Sequence, residues 1–251
     1  MFPEERKAAI LKLIQSGNPV KVGELCQQFE VSESTIRRDL QEMDAASLIQ
    51  RTHGGAISAQ LGYELSFREK EIRLLDEKRK IAKLAADMVG AGETVLLDSG
   101  TTTLEIARAL VHKEITLATN SMDIAQVFGD DSPVEVLVLG GAWRKSTRSL
   151  VGYLTNETLG RIHFDKVFLA ANGVDGTLGV TTPNSIEAET KRRFVQAGEE
   201  IILVVDHTKI GQQGLYQICS LDEIDQVITD EAIEPESLEM LRSHTKVSLT
   251  P

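Results

Sequence analysis

Four polar side chains in the first fifth of the chain have the types and the spacing of a surface that reads DNA. They recur at three- and four-residue intervals and so share one face of a predicted α-helix: Ser34, Arg37, Arg38 and Gln41. Arginine can hold a guanine edge or a phosphate with two hydrogen bonds, glutamine can pair with adenine, and serine can bond to either. Ser32 stands at the N-cap position, which leaves N–H groups of the first turn free for a phosphate. The pattern predicts a helix that contacts DNA.

The opposite face of this helix is apolar, which lets it pack against other elements: Ile36, Leu40 and Met43. Two further helices are predicted before it, at about 3–15 and about 22–29. Ser16-Gly17-Asn18-Pro19 contains the glycine and proline that end the first of them. Glu30-Val31 is the predicted turn, and the DNA-contacting helix is expected to run to about Ala46.

A short wing is predicted after this helix. Residues 48–52 are typical of a strand, and His53-Gly54-Gly55 is typical of a hairpin tip. Arg51 lies in the strand and adds a third cation to the two arginines of the helix. Helix, helix, turn, helix and wing is the order of a winged helix-turn-helix DNA-binding domain, predicted over residues 1–57.

The charge of the chain is unusual for a DNA-binding protein. The formal net charge is −11; residues 1–57 contain seven Lys and Arg against eight Asp and Glu, and the remainder contains 20 against 30. An acidic remainder repels DNA. Binding is therefore expected only through the cluster of arginines, doubled by dimerisation.

The composition indicates a globular protein of the cytoplasm. No apolar run is long enough to span a bilayer, and the N-terminus is charged and periodic, unlike a signal peptide. Cys26 and Cys219 are far apart and lack metal-ligand spacing, which favours small buried or half-buried thiols. No metal and no cofactor is predicted.

The rest of the chain has a different pattern. Residues 58–77 are polar and dense in charge and are predicted to be an interdomain linker, partly ordered against one domain; residues 78–251 alternate short apolar strands with helices. Strands are predicted at 94–98, 115–119, 134–139, 166–170, 201–205, 226–229 and 246–249. Helices are predicted at 78–90, 104–111, 122–128, 154–161, 185–197 and 235–242. The alternation predicts an α/β domain with a largely parallel sheet, so the whole chain is expected to be a multidomain α/β protein.

A candidate anion site follows the predicted strand at 94–98. Asp98 ends the strand, and Ser99-Gly100-Thr101-Thr102-Thr103 leads into a helix, at the edge where open α/β sheets bind ligands. Gly100 permits close approach of the backbone, the hydroxyls donate, and the helix N-terminus favours an anion. The Gly-Lys-Ser/Thr ending of a nucleoside triphosphate loop is missing. The residues alone leave a phosphate site and an ordinary capped helix start equally open.

Neighbouring strand ends are also polar, which favours the phosphate site. Asn120 ends the second predicted strand, Gly140-Gly141 the third, and Asn172-Gly173-Val174-Asp175 follows the fourth. Asp206-His207-Thr208-Lys209 follows the fifth. Within it, Lys209 offers a cation to a phosphate, and Asp206 could orient that cation or hold a sugar hydroxyl.

Two further groups of charges remain ambiguous. Glu187 and Lys191 stand four residues apart and either form an ion pair on the helix surface or contact a ligand. Arg144, Lys145 and Arg148 form a basic loop after Gly141, for which a solvated loop is favoured over ligand binding.

Several motifs in a fixed order give the chain a resemblance that covers nearly its whole length. VSESTIRRDL and the RTHGG wing, followed by DSGTTT, TN, LGG and DHTKIG, resemble the DeoR-type family of bacterial repressors of sugar metabolism. The resemblance implies a DeoR-type winged helix and a C-terminal sensor similar in fold to ribose-5-phosphate isomerase and the coenzyme A transferases. One tract departs from the family, since the usual Asp-Ser-Ser/His-Ser-Lys reads Asp206-His207-Thr208-Lys209 here; Thr208 keeps the hydroxyl.

The resemblance also implies roles for individual residues. The residues that should face DNA are Ser34, Thr35, Arg37 and Arg38, with Arg51 and His53 on the backbone beside the wing. The residues that should line an effector pocket are Asp98 through Thr103, Asn120, Gly141 and Lys209. Family members usually repress catabolic operons and release DNA when a phosphorylated sugar intermediate binds.

The chain is therefore expected to be a sequence-specific DNA-binding regulator without catalytic residues. Its expected partners are double-stranded operator DNA, a phosphorylated sugar, and further copies of itself in a homodimer or homotetramer. The alternative is a sugar-phosphate isomerase or transferase with Asp175, Glu187 or Lys209 as its base. The glycine-rich, lysine-containing tract expected of ribose-5-phosphate isomerases is absent after Asp175, and an enzyme has no use for a winged helix. A purely architectural DNA binder would not need a polar pocket.

Overall fold

A computed structural model describes residues 3–15, 20–45, 48–52, 54–58 and 67–250. The chain divides into two compact units, Met1–Glu64 and Leu65–Pro251. The described elements of the first unit are α1 (Pro3–Gln15), β1 (Val20–Lys21), α2 (Val22–Phe29), α3 (Glu33–Ala45), β2 (Ile49–Thr52) and β3 (Gly55–Ser58). Its strands form an antiparallel sheet in the order β1-β3-β2. Apart from β1 and β3, which were not predicted, these elements agree with the predicted ones to within one or two residues, whereas the predicted helix stop at 16–19 lies outside the described residues.

The first unit has a small core built from the apolar faces of its helices. Ile10 and Ile14 of α1, Leu25 of α2 and Leu40 of α3 are each no more than 1% exposed. The same core holds a buried ion pair between Arg6 and Asp39, in which Arg6 Nε lies 2.5 Å from Asp39 Oδ2 and Nη2 lies 3.1 Å from Oδ1. The carboxylate raises the pKa of the Arg6 guanidinium, mainly through this hydrogen bond. The pair fixes α3 against α1.

A glycine sets the spacing between β1 and β3. Gly55 pairs with Lys21, and a Cβ on Gly55 would lie 1.8 Å from the carbonyl oxygen of Val20. No side chain fits between β1 and β3 at this point, so β3 must have glycine at position 55.

The second unit is an α/β domain with seven described helices and twelve described strands. Its helices are α4 (Phe67–Ile72), α5 (Leu75–Asp87), α6 (Thr101–Leu110), α7 (Met122–Ala125), α8 (Tyr153–Leu159), α9 (Ser185–Ala197) and α10 (Pro235–Arg242). Its strands are β4 (Thr94–Leu97), β5 (Thr116–Thr119), β6 (Glu135–Val138), β7 (Ala142–Arg144), β8 (Ser149–Val151), β9 (Phe164–Leu169), β10 (Gly173–Asp175), β11 (Gly179–Thr182), β12 (Gly198–Val204), β13 (Tyr216–Cys219), β14 (Gln226–Asp230) and β15 (Lys246–Thr250).

Seven of these strands form one parallel sheet in the order β15-β14-β12-β9-β4-β5-β6. Apolar clusters cover both faces of the sheet, as a parallel sheet requires. All seven predicted strands are present, which confirms the α/β class with a parallel sheet. The antiparallel hairpin β7–β8 and the antiparallel sheet β10-β11-β13 did not appear in the prediction.

Three helix boundaries of the second unit differ from the predicted ones in ways that matter for the site. Helix α6 begins at Thr101, so the threonines predicted to lie in a loop form its first turn. Helix α5 spans Leu75–Asp87 rather than 78–90. The predicted linker at 58–77 contains α4, whose Phe67 is buried in the core of the second unit, while residues 59–66 lie outside the described part.

Two other features of the chain agree with its composition. Cys26 is half-buried and Cys219 is buried, which confirms the prediction of buried or half-buried thiols, and both are free. Burial raises the pKa of the Cys219 thiol to about 12, so this group stays protonated. Among the described helices, none combines the length and the apolar composition that crossing a membrane requires.

Candidate functional site: a DNA-contacting helix and a pocket at the strand ends

The outer face of α3 carries the polar side chains that the sequence assigns to DNA. The exposed residues are Ser34, Arg37, Arg38 and Gln41, and Thr35 is half-buried. The buried residues are Ile36, Asp39, Leu40 and Met43. The predicted division of the helix into a polar and an apolar face is therefore confirmed. Asp39 is the exception on the buried side, because it pairs with Arg6.

Hydroxyl groups cluster at the N-terminal end of α3. The N–H of Thr35 donates to Ser32 Oγ over 3.3 Å, as expected for an N-cap. Ser32 Oγ also lies 2.9 Å from Ser34 Oγ and 2.8 Å from Thr35 Oγ1. Ser32 and Ser34 are exposed, so the cluster and the helix N-terminus present donors to an approaching phosphate.

The two arginines of α3 differ in their partners. Arg37 Nε donates to Glu33 Oε1 over 2.9 Å, so this guanidinium is already paired with the acid one turn earlier. Arg38 is exposed and has no hydrogen-bond or ion-pair partner within the described ranges. Arg38 can therefore engage a base or a phosphate without breaking an existing contact.

The structure describes only some of the predicted contact residues of the wing. Arg51 lies on β2 opposite Ala56 and is half-buried, and its N–H donates to Asp44 Oδ1 over 3.0 Å. This bond ties the wing to the last turn of α3. The predicted contact residue His53 lies outside the described residues.

In the second unit, the candidate pocket lies at the point in the parallel sheet where the order of the strands reverses. Strands β5 and β6 follow on one side of β4, while β9 and β12 lie on its other side. The loops after β4 and β9 therefore leave the sheet in opposite directions and open a crevice at the carboxyl ends of the strands. Asp98 directly follows β4, and Ala170 directly follows β9.

A buried ion pair closes the base of this crevice. Asp98 is fully buried, and its Oδ2 accepts hydrogen bonds from the N–H of Ala170 over 3.0 Å and from Lys191 Nζ. Lys191 is 5% exposed and also donates to the carbonyl oxygen of Ala170 over 2.9 Å. Helix α9, which carries Lys191, is thereby joined to the ends of β4 and β9. Oδ1 of Asp98 has no hydrogen-bond partner among the described residues.

The first turn of α6 faces the same crevice with uncapped backbone donors. Its N-cap is Gly100, which has no side chain to cap the N–H groups of that turn. A Cβ at Gly100 would lie 3.0 Å from the Cβ of Ala170, so the loops after β4 and β9 are in close contact. Thr101 and Thr102 are 8% and 7% exposed, and Thr103 Oγ1 is turned inward and donates to the carbonyl oxygen of Asp98 over 2.5 Å. Ser99 is half-buried beside them.

The ends of β5 and β6 are covered by the hairpin β7–β8. Asn120 Nδ2 donates to the carbonyl oxygen of Leu150 over 3.0 Å, and the N–H of Leu150 donates to the carbonyl oxygen of Asn120 over 2.8 Å. Asn120 Oδ1 is buried without a donor in the described part of the chain. A Cβ at Gly141 would lie 2.3 Å from Thr155 Oγ1, so glycine permits the turn into the hairpin to pack on α8.

Glu187 and Lys191 do not form the ion pair that their spacing allows. Glu187 is 3% exposed; its Oε1 lies 3.4 Å from Arg144 Nε and its Oε2 accepts from Thr182 Oγ1 over 3.2 Å. Lys191 binds Asp98 instead. Both side chains point into the unit rather than to solvent, and the interpretation as a surface pair is wrong.

The basic loop after Gly141 is also not simply solvated. Arg148 donates to both carboxylate oxygens of Asp123, over 2.5 and 2.6 Å, and its guanidinium lies 5.8 Å from the centre of the Phe67 ring. Arg144 pairs with Glu187, and only Lys145 is exposed. Arg148 lines a groove of about 560 Å³ beside α4 and α6, and it is held there by a carboxylate and an aromatic ring.

Lys209 follows β12, which is separated from β4 by β9. It ends a single 3-10 turn after β12, and burial lowers the pKa of its ammonium, an effect that the nearby charge of Asp206 opposes. Asp206 itself accepts from the N–H of Thr208 over 3.1 Å and from its hydroxyl. From β12 to β6 there are four strand spacings of about 4.8 Å, or about 19 Å in all.

Comparison with known proteins finds a matching family model for each of the two units. The family model described as DeoR-like helix-turn-helix domain matches residues 6–61, and the one described as DeoR C terminal sensor domain matches residues 74–231. The chain belongs to the DeoR family. Within this family, the HTH-type transcriptional regulator GlpR of Haloferax volcanii is 38% identical over 97% of this chain and 96% of its own length. The lactose phosphotransferase system repressor of Staphylococcus epidermidis is 33% identical over 97% and 98%.

A solved structure outside the DeoR family matches part of the fold. Ribose 5-phosphate isomerase A of Methanocaldococcus jannaschii aligns with a TM-score of 0.39 at 17% sequence identity, over 54% of this chain and 54% of its own. At this TM-score the likeness carries no argument about activity. The α/β architecture of the DeoR sensor rests instead on its own strand order.

The structure of this DeoR sensor adds one buried cation that the sequence analysis missed. Lys78 on α5 is 3% exposed, and its Nζ donates to the carbonyl oxygens of Lys70 and, over 2.6 Å, of Arg73. Burial lowers the pKa of this ammonium to about 8. The sequence does contain a signal, because Lys78 precedes Ile81 and Ala82 at helical spacing and so falls on the apolar face of α5.

The buried ammonium of Lys78 should make the stability of this DeoR sensor depend on pH. Its pKa is about 8 in the folded chain, against an ordinary lysine pKa of 10.5, so the unfolded chain binds the proton more tightly. Below pH 8 both states are protonated and the cost of burying the charge is present in full. Between pH 8 and 10.5 that cost is relieved, which stabilises the folded state by roughly 3 kcal/mol at 1.36 kcal/mol per pKa unit.

The measurement is urea unfolding of the wild type and of Lys78→Met at a series of pH values from 7 to 10. The wild type should gain stability relative to the variant as the pH rises, because the methionine carries no charge. The charges that act on Lys78 belong to Asp206, Lys209, Arg73 and Glu105, and they are the same in both proteins. A stability difference that stays constant over this range would show that the ammonium is solvated.

Proposed function

We propose that this protein is a repressor of a sugar-catabolic operon and leaves its operator when a phosphorylated sugar binds to the sensor. Family membership supports the regulatory role, and the relative from Staphylococcus epidermidis is by name a repressor of a lactose phosphotransferase system. The exposed face of α3, with Arg38 unpaired in the described part of the chain, supports operator contact. The proposed contact residues on DNA are Ser32, Ser34, Thr35, Arg37, Arg38, Gln41, Arg51 and His53.

The observation that carries the effector proposal is the uncapped first turn of α6, which lies at the point where the strand order reverses. An uncapped helix N-terminus at this position favours a phosphate, and the hydroxyls of Thr101 and Thr102 add donors. Buried acceptors at Asp98 Oδ1 and Asn120 Oδ1 lack donors among the described residues, and hydroxyl groups of a sugar would supply them. The proposed effector residues are Asp98, Ser99, Gly100, Thr101, Thr102, Thr103, Asn120, Gly141, Glu187, Lys191 and Lys209.

The proposal includes a homo-oligomer that works in the cytoplasm, where operator DNA lies. One exposed face of a 13-residue helix covers few base pairs, so two copies are needed to bind two half-sites with useful affinity. The proposed organisation remains a DNA-binding domain at 1–57, a linker at 58–77 and a sensor and oligomerisation domain at 78–251.

We infer that the pocket does not catalyse a reaction. A general base that works near neutral pH needs a pKa close to that value. Backbone hydrogen bonds from Leu178 and Thr177 instead lower the pKa of Asp175 from its ordinary value, so this carboxylate is a poor base. Glu187 is paired with Arg144. An assay with ribose 5-phosphate should show no isomerisation.

The experiment that tests the whole proposal is a titration of DNA from the protein's own promoter, with and without a panel of sugar phosphates. We expect specific binding, and release by one phosphorylated sugar but not by the same sugar without phosphate. Binding that no member of the panel reverses would contradict the effector site at α6. Absence of specific DNA binding would contradict the role as a regulator.

Replacement of Arg38 should weaken operator binding more than replacement of a cation elsewhere in the first unit. Arg38→Ala removes an exposed guanidinium from the middle of α3, and loss of a base contact costs about 1–3 kcal/mol. Fluorescence anisotropy with labelled operator measures the change. Lys12→Ala, an exposed cation on α1, is the matched control and should bind nearly as the wild type. Equal losses in both variants would mean that only overall charge matters.

Replacement of Lys209 should separate effector response from DNA binding. Lys209→Ala removes a half-buried cation at the end of β12, far along the chain from the winged helix, and should leave operator affinity unchanged. The releasing sugar phosphate should lose at least about tenfold in potency, the effect of 1.4 kcal/mol. Lys246→Ala, an exposed cation at the start of β15, is the control. An unchanged response in the Lys209 variant would place the phosphate nearer to Lys191.

A further inference from the structure

Strand β6 forms one edge of the parallel sheet, and part of its backbone has no strand partner. The N–H of Leu139 donates to the carbonyl oxygen of Thr119 at the end of β5 over 2.8 Å, and the N–H of Glu135 also faces β5. Because the backbone groups of successive residues in a strand point to opposite sides, those of Val136 and Val138 point away from β5. Among the described strands, none lies on that side of β6.

The surface beside this edge is apolar. Five of the exposed large apolar side chains in the described part of the chain form what we call the edge patch: Leu137, Val138, Trp143, Tyr153 and Leu154. Leu137 and Val138 are each 40% exposed. The hydroxyl of Thr155 donates to the carbonyl oxygen of Gly140 over 2.6 Å, which holds the first turn of α8 beside the end of β6. Apolar surface that is exposed in one patch indicates an interface with another macromolecule.

The opposite edge of the sheet has a different character. Strand β15 begins with the exposed Lys246, and its apolar residues Val247 and Leu249 are half-buried and pack against the core. A lysine on an edge strand opposes pairing with a strand of another molecule. Strand β6 has no charged residue after Glu135, so it is the less protected of the two edges.

The charges on either side of β6 favour a second copy of this chain as the occupant of the edge patch. The exposed Asp130 and Asp131 precede the strand. No acidic residue follows between Glu135 and Glu157, and this stretch contains the exposed Lys145. Two β6 strands that run in opposite directions therefore bring the acidic end of each copy towards the basic end of the other. Between these ends the strand is uncharged, which limits the repulsion between two chains of net charge −11.

We propose that two copies of the sensor associate through β6, with the strands antiparallel about a two-fold axis at Leu137. This inference rests on the homo-oligomer of the proposed function. Val136 of one protomer then lies opposite Val138 of its partner, and each such pair exchanges both N–H···O=C bonds. In this register both outward-facing residues find a partner within β6. The two parallel sheets become one continuous sheet, and the edge patch is buried along the junction.

The first test is a disulfide across the proposed axis of the full-length protein. The two Leu137 residues form a non-hydrogen-bonded pair with Cα atoms about 4.5 Å apart, which a disulfide can span. Leu137→Cys should therefore give a covalent dimer on a non-reducing gel after mild oxidation. Val136→Cys is the matched control, because the two copies of this residue lie about 7–8 Å apart in this register and should not cross-link. The wild type gives the background from the half-buried Cys26 and the buried Cys219.

The second test places a charge at the axis. Leu137→Lys sets two cations against each other, and it should raise the dissociation constant of the dimer at least about tenfold, as expected for a residue at the centre of an interface. Analytical ultracentrifugation measures this constant. Leu215→Lys, at a leucine that is 78% exposed and outside the edge patch, should associate as the wild type does. Urea unfolding checks that both variants are folded, and the Leu137→Cys result stands without the charged variant.

The remaining outcomes overturn different statements. Leu137→Cys without a cross-link, together with an unchanged dimer in Leu137→Lys, overturns the β6 interface and leaves the homo-oligomer intact. A disulfide through Val136→Cys in place of Leu137→Cys overturns the register. A wild type that stays monomeric on its operator overturns the homo-oligomer and this inference together. In such a monomer, slow amide exchange at Val136 and Val138 would mean that another part of the same chain covers the edge.

Discussion

Lys191→Met should lower the stability of the sensor by about 3–5 kcal/mol, because it leaves the carboxylate of Asp98 charged, buried and without its cation. Asp98 is fully buried and Lys191 is 5% exposed, so water cannot take over the role of the lost ammonium. The hydrogen bond from Ala170 to Asp98 remains but does not neutralise the charge. Urea unfolding followed by the fluorescence of Trp143, the single tryptophan, reports on this unit.

A second pair on the same helix provides the control. Arg193 and Glu189 stand four residues apart on α9, with side chains 45% and 48% exposed. Arg193→Met should change the stability by less than about 1 kcal/mol, as is typical of exposed ion pairs. Replacement of both partners of the buried pair, Asp98→Asn with Lys191→Met, should recover most of the loss, because no unpaired charge remains. A loss in Lys191→Met no larger than in Arg193→Met would show that Asp98 is protonated or hydrated.

Arg6→Met should destabilise the first unit by a similar amount, about 3–5 kcal/mol. Arg6 is 4% exposed and Asp39 is 1% exposed, and the two hydrogen bonds between them join α1 to the buried face of α3. The readout is hydrogen exchange of the amides of α3, since Trp143 lies in the other unit. Operator affinity should fall with the folded fraction of this unit, although Arg6 is buried and does not lie on the exposed face of α3.

The neighbouring residue offers a close control. Lys7 also joins α1 to α3, with its Nζ 2.5 Å from Glu42 Oε2, but the carboxylate side chain is 51% exposed. Lys7→Met should therefore cost less than about 1 kcal/mol. Arg6→Met combined with Asp39→Leu should be far more stable than Arg6→Met alone. If the two single variants are equally stable, the buried pair does not hold α3 in place.

The sequence was sufficient for the features that depend on periodicity. The seven strands of the parallel sheet could be predicted because they are short apolar runs between helices. Helix α3 could be predicted because its polar and apolar residues recur at helical spacing. The polar residues at the strand ends could be predicted for the same reason, because parallel strands bring their carboxyl ends to one edge.

The contacts made across the fold could not be predicted. The spacing of Glu187 and Lys191 predicts a local pair, yet burial of α9 gives each of them a partner far away in sequence, Arg144 and Asp98. The hairpin β7–β8 was missed because its strands are three residues long, too short to show a period. Lys78 was missed because a charged residue at the start of a helix is ordinarily solvated.

Helix α9 and strand β12 are joined without a connecting loop: the helix ends at Ala197, and Gly198 is already the first residue of the strand. A Cβ at Gly198 would lie 2.3 Å from Val167 Cγ2 on β9, so the junction is also packed tightly sideways. Helix α9 therefore cannot slide along its axis without pulling a strand that is bonded on both sides. In mechanical terms, α9 is a rigid support for Glu187 and Lys191. A ligand that enters the crevice beside α9 would therefore meet side chains that cannot shift along the helix axis.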